Sequence, residues 1–167
     1  MKVIIGAANT SQDGWVSTNI GELNLLRPDT WVKYMPVDMA LAEHIWEHLT
    51  LEEGREAARQ CFKFVPRLRV ATPDGFFPDA AYVERAILGE CPGDHQALYN
   101  YKTLTNVFAE AGYNVELLEW WDEQSVFHYR PWSPEFGIIS RSLCLDARNR
   151  VGKIGYTSII LDAIKQR

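Results

Sequence analysis

The chain has 167 residues, and its 47% hydrophobic and 23% charged composition fits an ordinary globular protein rather than a disordered, collagen-like or coiled-coil chain. Its 17 basic and 22 acidic residues leave a formal charge of −5. No run of like charges supplies the basic stripe that neutralises nucleic-acid phosphates, so a nucleic-acid partner is not expected.

Taken in chain order, Lys2–Gly6 reads as a buried strand of β-branched residues ended by glycine. Ala7–Gly14 is small and polar, a loop by composition. Trp15–Ile20 is a second strand and Leu23–Leu26 a third, stopped by Arg27-Pro28-Asp29. Met39–Ala42 is a fourth apolar run. Thr50-Leu51-Glu52-Glu53 is a capping box that opens a helix to about Phe64, with Ala57, Ala58, Cys61 and Phe62 on its apolar face. Leu68–Thr72 is a fifth strand, ended by the turn Pro73-Asp74-Gly75. Pro78–Ala86 reads as a short helix and Gly89–Gly93 as a loop. A further helix spans Asn100–Ala111, stopped by Gly112. Val115–Trp121 is a sixth strand. Residues 122–153 read as a long aromatic and Pro-containing connection, and Tyr156–Ile164 as the seventh strand.

Strands alternating with helices predict an α/β sheet in a single domain over 1–167. The links between the early strands are too short for crossover helices. The three cysteines, Cys61, Cys91 and Cys144, form no CxxC pair and no disulfide framework, so a reducing, cytoplasmic setting is expected. No apolar run approaches the roughly 20 residues that span a bilayer.

Four places carry possible chemistry. Gly6-Ala7-Ala8 follows the first strand, where open α/β sheets admit ligands. His44-Ile45-Trp46-Glu47-His48 has the H-x-x-E-H spacing of a metal hydrolase, with Asp94-His95 as the candidate for a further ligand. The capping box just after it argues against one helix through His44 and His48, so no metal site is expected and a hydrolase is the minor alternative. Asp74 and His95 lie in loops where a tuned acid or base could sit. The aromatics Trp120, Trp121, Phe127, His128, Tyr129, Trp132 and Phe136 could cover a substrate, form a dimer surface or pack onto the core.

The stretches VIIGAANTSQDGWVSTNI, LAEHIWEHLTLEEGREAARQCFKF, LRVATPDGFFPDAAYVE, DHQALYNYKTLTNVFAEAGYNVELLEWWDE and GYTSIILDAIK together resemble class I S-adenosylmethionine-dependent methyltransferases of the bacterial "type 11" kind, in a shortened form. The resemblance implies a Rossmann-like mixed sheet of about seven strands with an antiparallel last strand and reduced helical cover. It implies S-adenosylmethionine as cofactor, a small-molecule acceptor and, with the exposed early strands, a possible homodimer. Gly6, Ala7 and Ala8 would pass the methionine part of the cofactor. Asn19 would face the ribose where the family carries an acidic residue, with Glu22 close enough to substitute. Leu25 and Leu26 would lie near the adenine, and Glu43 and His44 would flank the cofactor. His95, His44 and Asp74 are the candidate catalytic residues. A methyltransferase-like binding protein without turnover is the alternative that the departures Gly6-Ala7-Ala8-Asn9-Thr10 and Asn19 motivate.

Overall fold

A computed structural model describes residues 1–88, 94–149 and 152–166. The Gly89–Gly93 loop and Cys91 lie outside the described residues. Seven strands form one sheet: β1 (Lys2–Ile5), β2 (Trp15–Ser17), β3 (Met39–Glu43), β4 (Arg67–Pro73), β5 (Asn114–Trp121), β6 (Phe127–Tyr129) and β7 (Ser158–Ile164). Their order is β2-β1-β3-β4-β7-β5-β6. The pairs among β2, β1, β3 and β4 are parallel, and β7 runs antiparallel between β4 and β5. This is the expected mixed sheet with its antiparallel last strand.

Strand alternation divides the core. Val3 and Ile5, Ala40 and Ala42, Leu68 and Val70, and Ile159 and Leu161 join the larger cluster. Onto it pack α1 (Leu51–Phe64) and α3 (Tyr101–Glu110), through Ala57, Ala58, Cys61, Leu104, Val107 and Phe108. The intervening residues Ile4, Leu41, Ala71 and Ile160 point the other way, onto Ile139 and Trp132. That face is covered by the extended late segment rather than by a helix, so the helical cover is reduced as expected. A third helix, α2 (Ala80–Leu88), packs through Tyr82 and Ala86 against Phe77 and Trp121.

α1 starts where the sequence says. Thr50 Oγ1 accepts from the Glu53 amide at 3.2 Å, and Glu53 Oε2 accepts from the Thr50 amide at 2.9 Å. Asn100 caps α3 by accepting from the Lys102 and Thr103 amides, each at 3.0 Å.

Two expectations fail. Leu23–Leu26 is a turn, because Asn24 Oδ1 accepts from the Leu26 amide at 2.9 Å and folds the run back into a 3-10 helix at Pro28–Tyr34. Leu23 and Leu25 still enter the core, so their alternating burial mimics a strand. The missing strand is replaced by β6 inside the supposed connection. Asp122 Oδ1 accepts from the Gln124 and Val126 amides at 2.9 Å each and closes a hairpin onto β5. The late aromatics pack onto the core: Trp120 on the helical face, Trp132 on the opposite face, and Trp121 and Phe127 beside α2.

Candidate functional site

β1 and β3 are parallel neighbours, so their carboxyl ends open together, and a cleft of about 340 Å³ forms there. That lies within the roughly 300–1,000 Å³ of small-molecule sites. Gly6, Ala7, Ala8, Glu43, His44 and Glu47 line it.

The β1 end turns sharply. Gly6 has φ 61°, a left-handed conformation natural to glycine, and a Cβ there would overlap Ile45 Cδ1. Ala8 (φ 47°) and His44 (φ 57°) are also left-handed. For non-glycine residues this strain is stored where the surrounding structure over-determines it. Here the fixing bonds are visible. The Ala7 amide donates to Thr18 O at 2.8 Å, and the Ala8 amide donates to Asn19 Oδ1 at 2.9 Å. Asn19 therefore shapes the loop with its carboxamide, while the Asn19 amide donates to Glu22 Oε2 at 3.0 Å.

Glu43 builds the opposite wall. Its carboxylate accepts from the Ser140 amide at 3.1 Å and the Arg141 amide at 2.8 Å, which brings Ser140 and Arg141 into the cleft lining. Both ring nitrogens of His44 face polar atoms, and one of them is hydrogen-bonded. Nε2 lies 2.9 Å from Ser158 Oγ, and Nδ1 lies 2.8 Å from Glu47 Oε1. The Glu47 contact lacks hydrogen-bond alignment, so neither Glu47 carboxylate oxygen has a hydrogen bond among the described residues. Glu47 is 1% exposed.

Glu47 and His48 belong to a 3-10 turn, Trp46–His48, not to the helix that follows. Trp46 anchors the turn: it is fully buried, and its Nε1 donates to Gly54 O at 3.1 Å. Gly54 on α1 is required by this packing, because a Cβ there would come within 2.6 Å of Tyr99 Oη. The segment bearing His95 is tied to the same turn. The Gln96 and Ala97 amides donate to Glu47 O at 2.7 and 3.1 Å. His95 Nδ1 meets Ala86 O, and the His48 and His95 rings pack edge-on at 4.9 Å.

The predicted residues thus separate. Gly6, Ala7, Ala8, Glu43, His44 and His95 share one cleft. Leu25 is buried in the core and Leu26 packs on its edge, away from the cleft lining. Asp74 is fully buried, its carboxylate accepting from the Trp121 amide at 2.8 Å and the Phe76 amide at 2.9 Å. Burial pushes this carboxyl up to about 6, and the two amides oppose that rise. Asp74 ties β4 to β5 and does not line the cleft.

Sequence reasoning missed Thr10, Ser140 and Arg141 in the lining and a second lobe beyond His44 and His95. That lobe, of about 410 Å³, is lined by Arg85, Arg141, Arg148, Tyr82 and Tyr156. Arg148 pairs with Asp146 and stacks 3.7 Å over the Tyr156 ring. Arg85 and Arg141 form no salt bridge among the described residues, although Arg141 acts electrostatically on Asp146 and Asp79 shares the lining. The spaced arginines Arg141 and Arg148 of the late sequence were the signal for this lobe.

No protein-family model and no curated protein matches the chain. Solved structures do match it. The S-adenosylmethionine-dependent methyltransferase SibL in its apo form aligns with a TM-score of 0.52 at 12% identity, over 99% of this chain and 43% of that one. The small RNA methyltransferase HEN1 also aligns at 0.52, with 16% identity, over 91% of this chain and 16% of that one. The magnesium protoporphyrin IX methyltransferase of Synechocystis PCC 6803, crystallised with bound SAH, aligns at 0.46 with 14% identity, over 95% of this chain and 54% of that one. The chain therefore spans about half the length of the last and less of the others. The likeness is one of fold, and the fold is the methyltransferase fold that the sequence resemblance implied.

Proposed function

We propose that the chain binds S-adenosylmethionine in the cleft at the ends of β1 and β3 and catalyses methyl transfer to a small acceptor. The observation that carries this reading is the left-handed Gly6 turn at the carboxyl end of β1, opening onto the cleft within a methyltransferase fold. The loop Gly6–Ala8 fits a close backbone approach by the methionine part of the cofactor, and Asn19 holds that loop through the Ala8 amide. Glu22, whose Oε2 accepts from the Asn19 amide, would offer its other carboxylate oxygen to a ribose hydroxyl. Bound there, the cofactor would supply an electrophilic methyl group.

The chain's own contribution is positioning and exclusion of water, which for well-oriented reactants is worth about 7–11 kcal/mol of barrier. Glu43 fixes the wall that Ser140 and Arg141 form. His44, bonded through Nε2 to Ser158 and with Nδ1 close to Glu47, is a positioning residue. Asp74, sealed from the cleft, takes no proton from substrate. The acceptor would enter through the second lobe, whose arginines Arg85, Arg141 and Arg148 favour an acceptor with a carboxylate or phosphate group. A homodimer joined at an outer strand is part of the proposal.

Calorimetric titration with S-adenosylmethionine and S-adenosylhomocysteine tests the reading. A one-to-one Kd in the micromolar range, about −8 kcal/mol, is expected. No binding up to millimolar ligand overturns it. Binding with no methyl transfer across a panel of anionic acceptors would favour a binding protein without turnover, which the use of Asn19 as a loop brace also suits.

A further inference from the structure

We infer that Glu47, His48 and His95 form a site for one divalent transition-metal ion, zinc by its ligand chemistry, on the wall of the same cleft. This goes beyond the methyl-transfer reading and does not depend on it. One ligand atom from each residue lies within 4.8 Å of the others. All three residues line the cleft, so a bound ion keeps an open position facing it.

The buried carboxylate is the first independent sign. Glu47 is 1% exposed, with neither oxygen hydrogen-bonded among the described residues. A charge removed from water without hydrogen bonds is unfavourable unless it is paired or binds a metal. His44 Nδ1 stands close to Oε1, and Oε2 has no hydrogen bond among the described residues.

The histidine tautomers are the second sign. His48 Nδ1 lies 3.1 Å from both the backbone O and Oδ1 of Asp94. His95 Nδ1 meets the Ala86 carbonyl. Carbonyl and carboxylate oxygens accept only, so both rings carry a proton on Nδ1, which leaves Nε2 as the nitrogen that a metal ion would take. Metal-binding imidazoles have this outer arrangement, because it fixes the ring and raises the basicity of the ligating nitrogen. Two imidazoles and a carboxylate with an open position are a zinc-type set rather than a calcium or magnesium one.

The backbone supports the cluster from both sides. Trp46 fixes the turn bearing Glu47 and His48, and the Gln96 and Ala97 amides bind Glu47 O, which sets His95 beside them. Ligands of a tetrahedral zinc at about 2.1 Å are about 3.4 Å apart, so loading draws the three groups together. His48, with its side chain 39% exposed, has room to move.

Cobalt(II) titration of the chelator-treated protein tests the inference, because tetrahedral cobalt absorbs visibly and zinc displaces it. One equivalent is expected to bind with that signature and to be displaced by zinc. His95→Ala and Glu47→Gln should each weaken binding at least a hundredfold. His128→Ala, on the hairpin beside Asp122, should leave binding unchanged. Circular dichroism in chelator establishes that each variant is folded. His48→Ala, at an exposed position, stands in if Glu47→Gln does not fold. No tetrahedral cobalt signal up to millimolar metal, or equal binding by His95→Ala, overturns the site. Cofactor titration in chelator is read separately, so failure there leaves this result standing.

Discussion

Arg69 on β4 and Asp162 on β7 are direct partners across an antiparallel pair, and both are sealed from water, at 1% and 2% exposure. Arg69 Nε donates to Asp162 Oδ1 at 2.7 Å and Nη2 to Oδ2 at 2.9 Å, a two-pronged ion pair. Arg69 Nη1 donates to the carbonyls of Ser133 and Gly137 at 2.8 and 2.7 Å. The pair therefore fastens the late segment to the sheet, and that segment carries Ser140 and Arg141 into the cleft.

Breaking this pair from one side should be severe. Asp162→Ala leaves a buried guanidinium without its counter-charge and is expected to lower stability by about 3–5 kcal/mol. Arg69→Met with Asp162→Leu should recover most of that loss. Urea unfolding of the wild type and the two variants checks the ordering, and a double variant as unstable as the single would contradict it.

Gly6→Ala should destabilise by about 1–2 kcal/mol from its left-handed φ alone, with the overlap on Ile45 adding to that. Adding Ile45→Ala makes room for the new methyl but leaves the backbone strain. The double variant should therefore regain none of the strain part, as thermal unfolding would show. Full recovery would mean that the close approach to Ile45, not φ, demands glycine.

Asn19→Ala removes the acceptor for the Ala8 amide. One hydrogen bond is worth about 1 kcal/mol. On the cofactor reading, this predicts roughly fivefold weaker binding of S-adenosylhomocysteine by calorimetry. Unchanged affinity would separate the loop brace from the ligand.

Asp74 predicts a pH signature with a definite sign. Its carboxyl rises from 3.8 to about 6 on folding, so the folded state binds the proton more tightly than the unfolded one. The contribution of this group to stability is full below about pH 4 and is lost as pH rises through about 6. The change is about 3 kcal/mol. Asp74→Asn removes the titration, although it also gives up one acceptor for the Trp121 or Phe76 amide. Relative to Asp74→Asn, the wild type should lose stability from pH 4 to 6.5 in denaturant unfolding. A constant difference across that range would show that Asp74 does not titrate there.

Much of the fold is written in short-range signals. The Thr50–Glu53 box and the Asn100 cap act within one helical turn, so neighbours in sequence settle where α1 and α3 begin. Strands β1, β3, β4 and β7 follow from apolar runs that only a sheet buried on both faces accommodates, and β5 from the apolar positions of Val115–Trp121, its first half partly exposed. Leu23–Leu26 and Phe127–Tyr129 were exchanged for the same reason in reverse. Whether a short apolar run pairs or turns depends on one polar side chain, Asn24 or Asp122, and on whether a partner strand waits beside it.

By itself, the sequence determined an α/β chain with a glycine turn after its first strand and the H-x-x-E-H run after another. Only the tertiary structure decided what those residues meet. Sheet order placed the β1 and β3 ends side by side, and backbone hydrogen bonds to Glu47 brought His95 to His48 from a segment beyond α1, β4 and α2. It also sealed Asp74 and moved Leu25 into the core. Pairing between distant segments fixes these outcomes, because the free energy of a contact depends on what the whole fold brings to it, and local spacing does not carry that information.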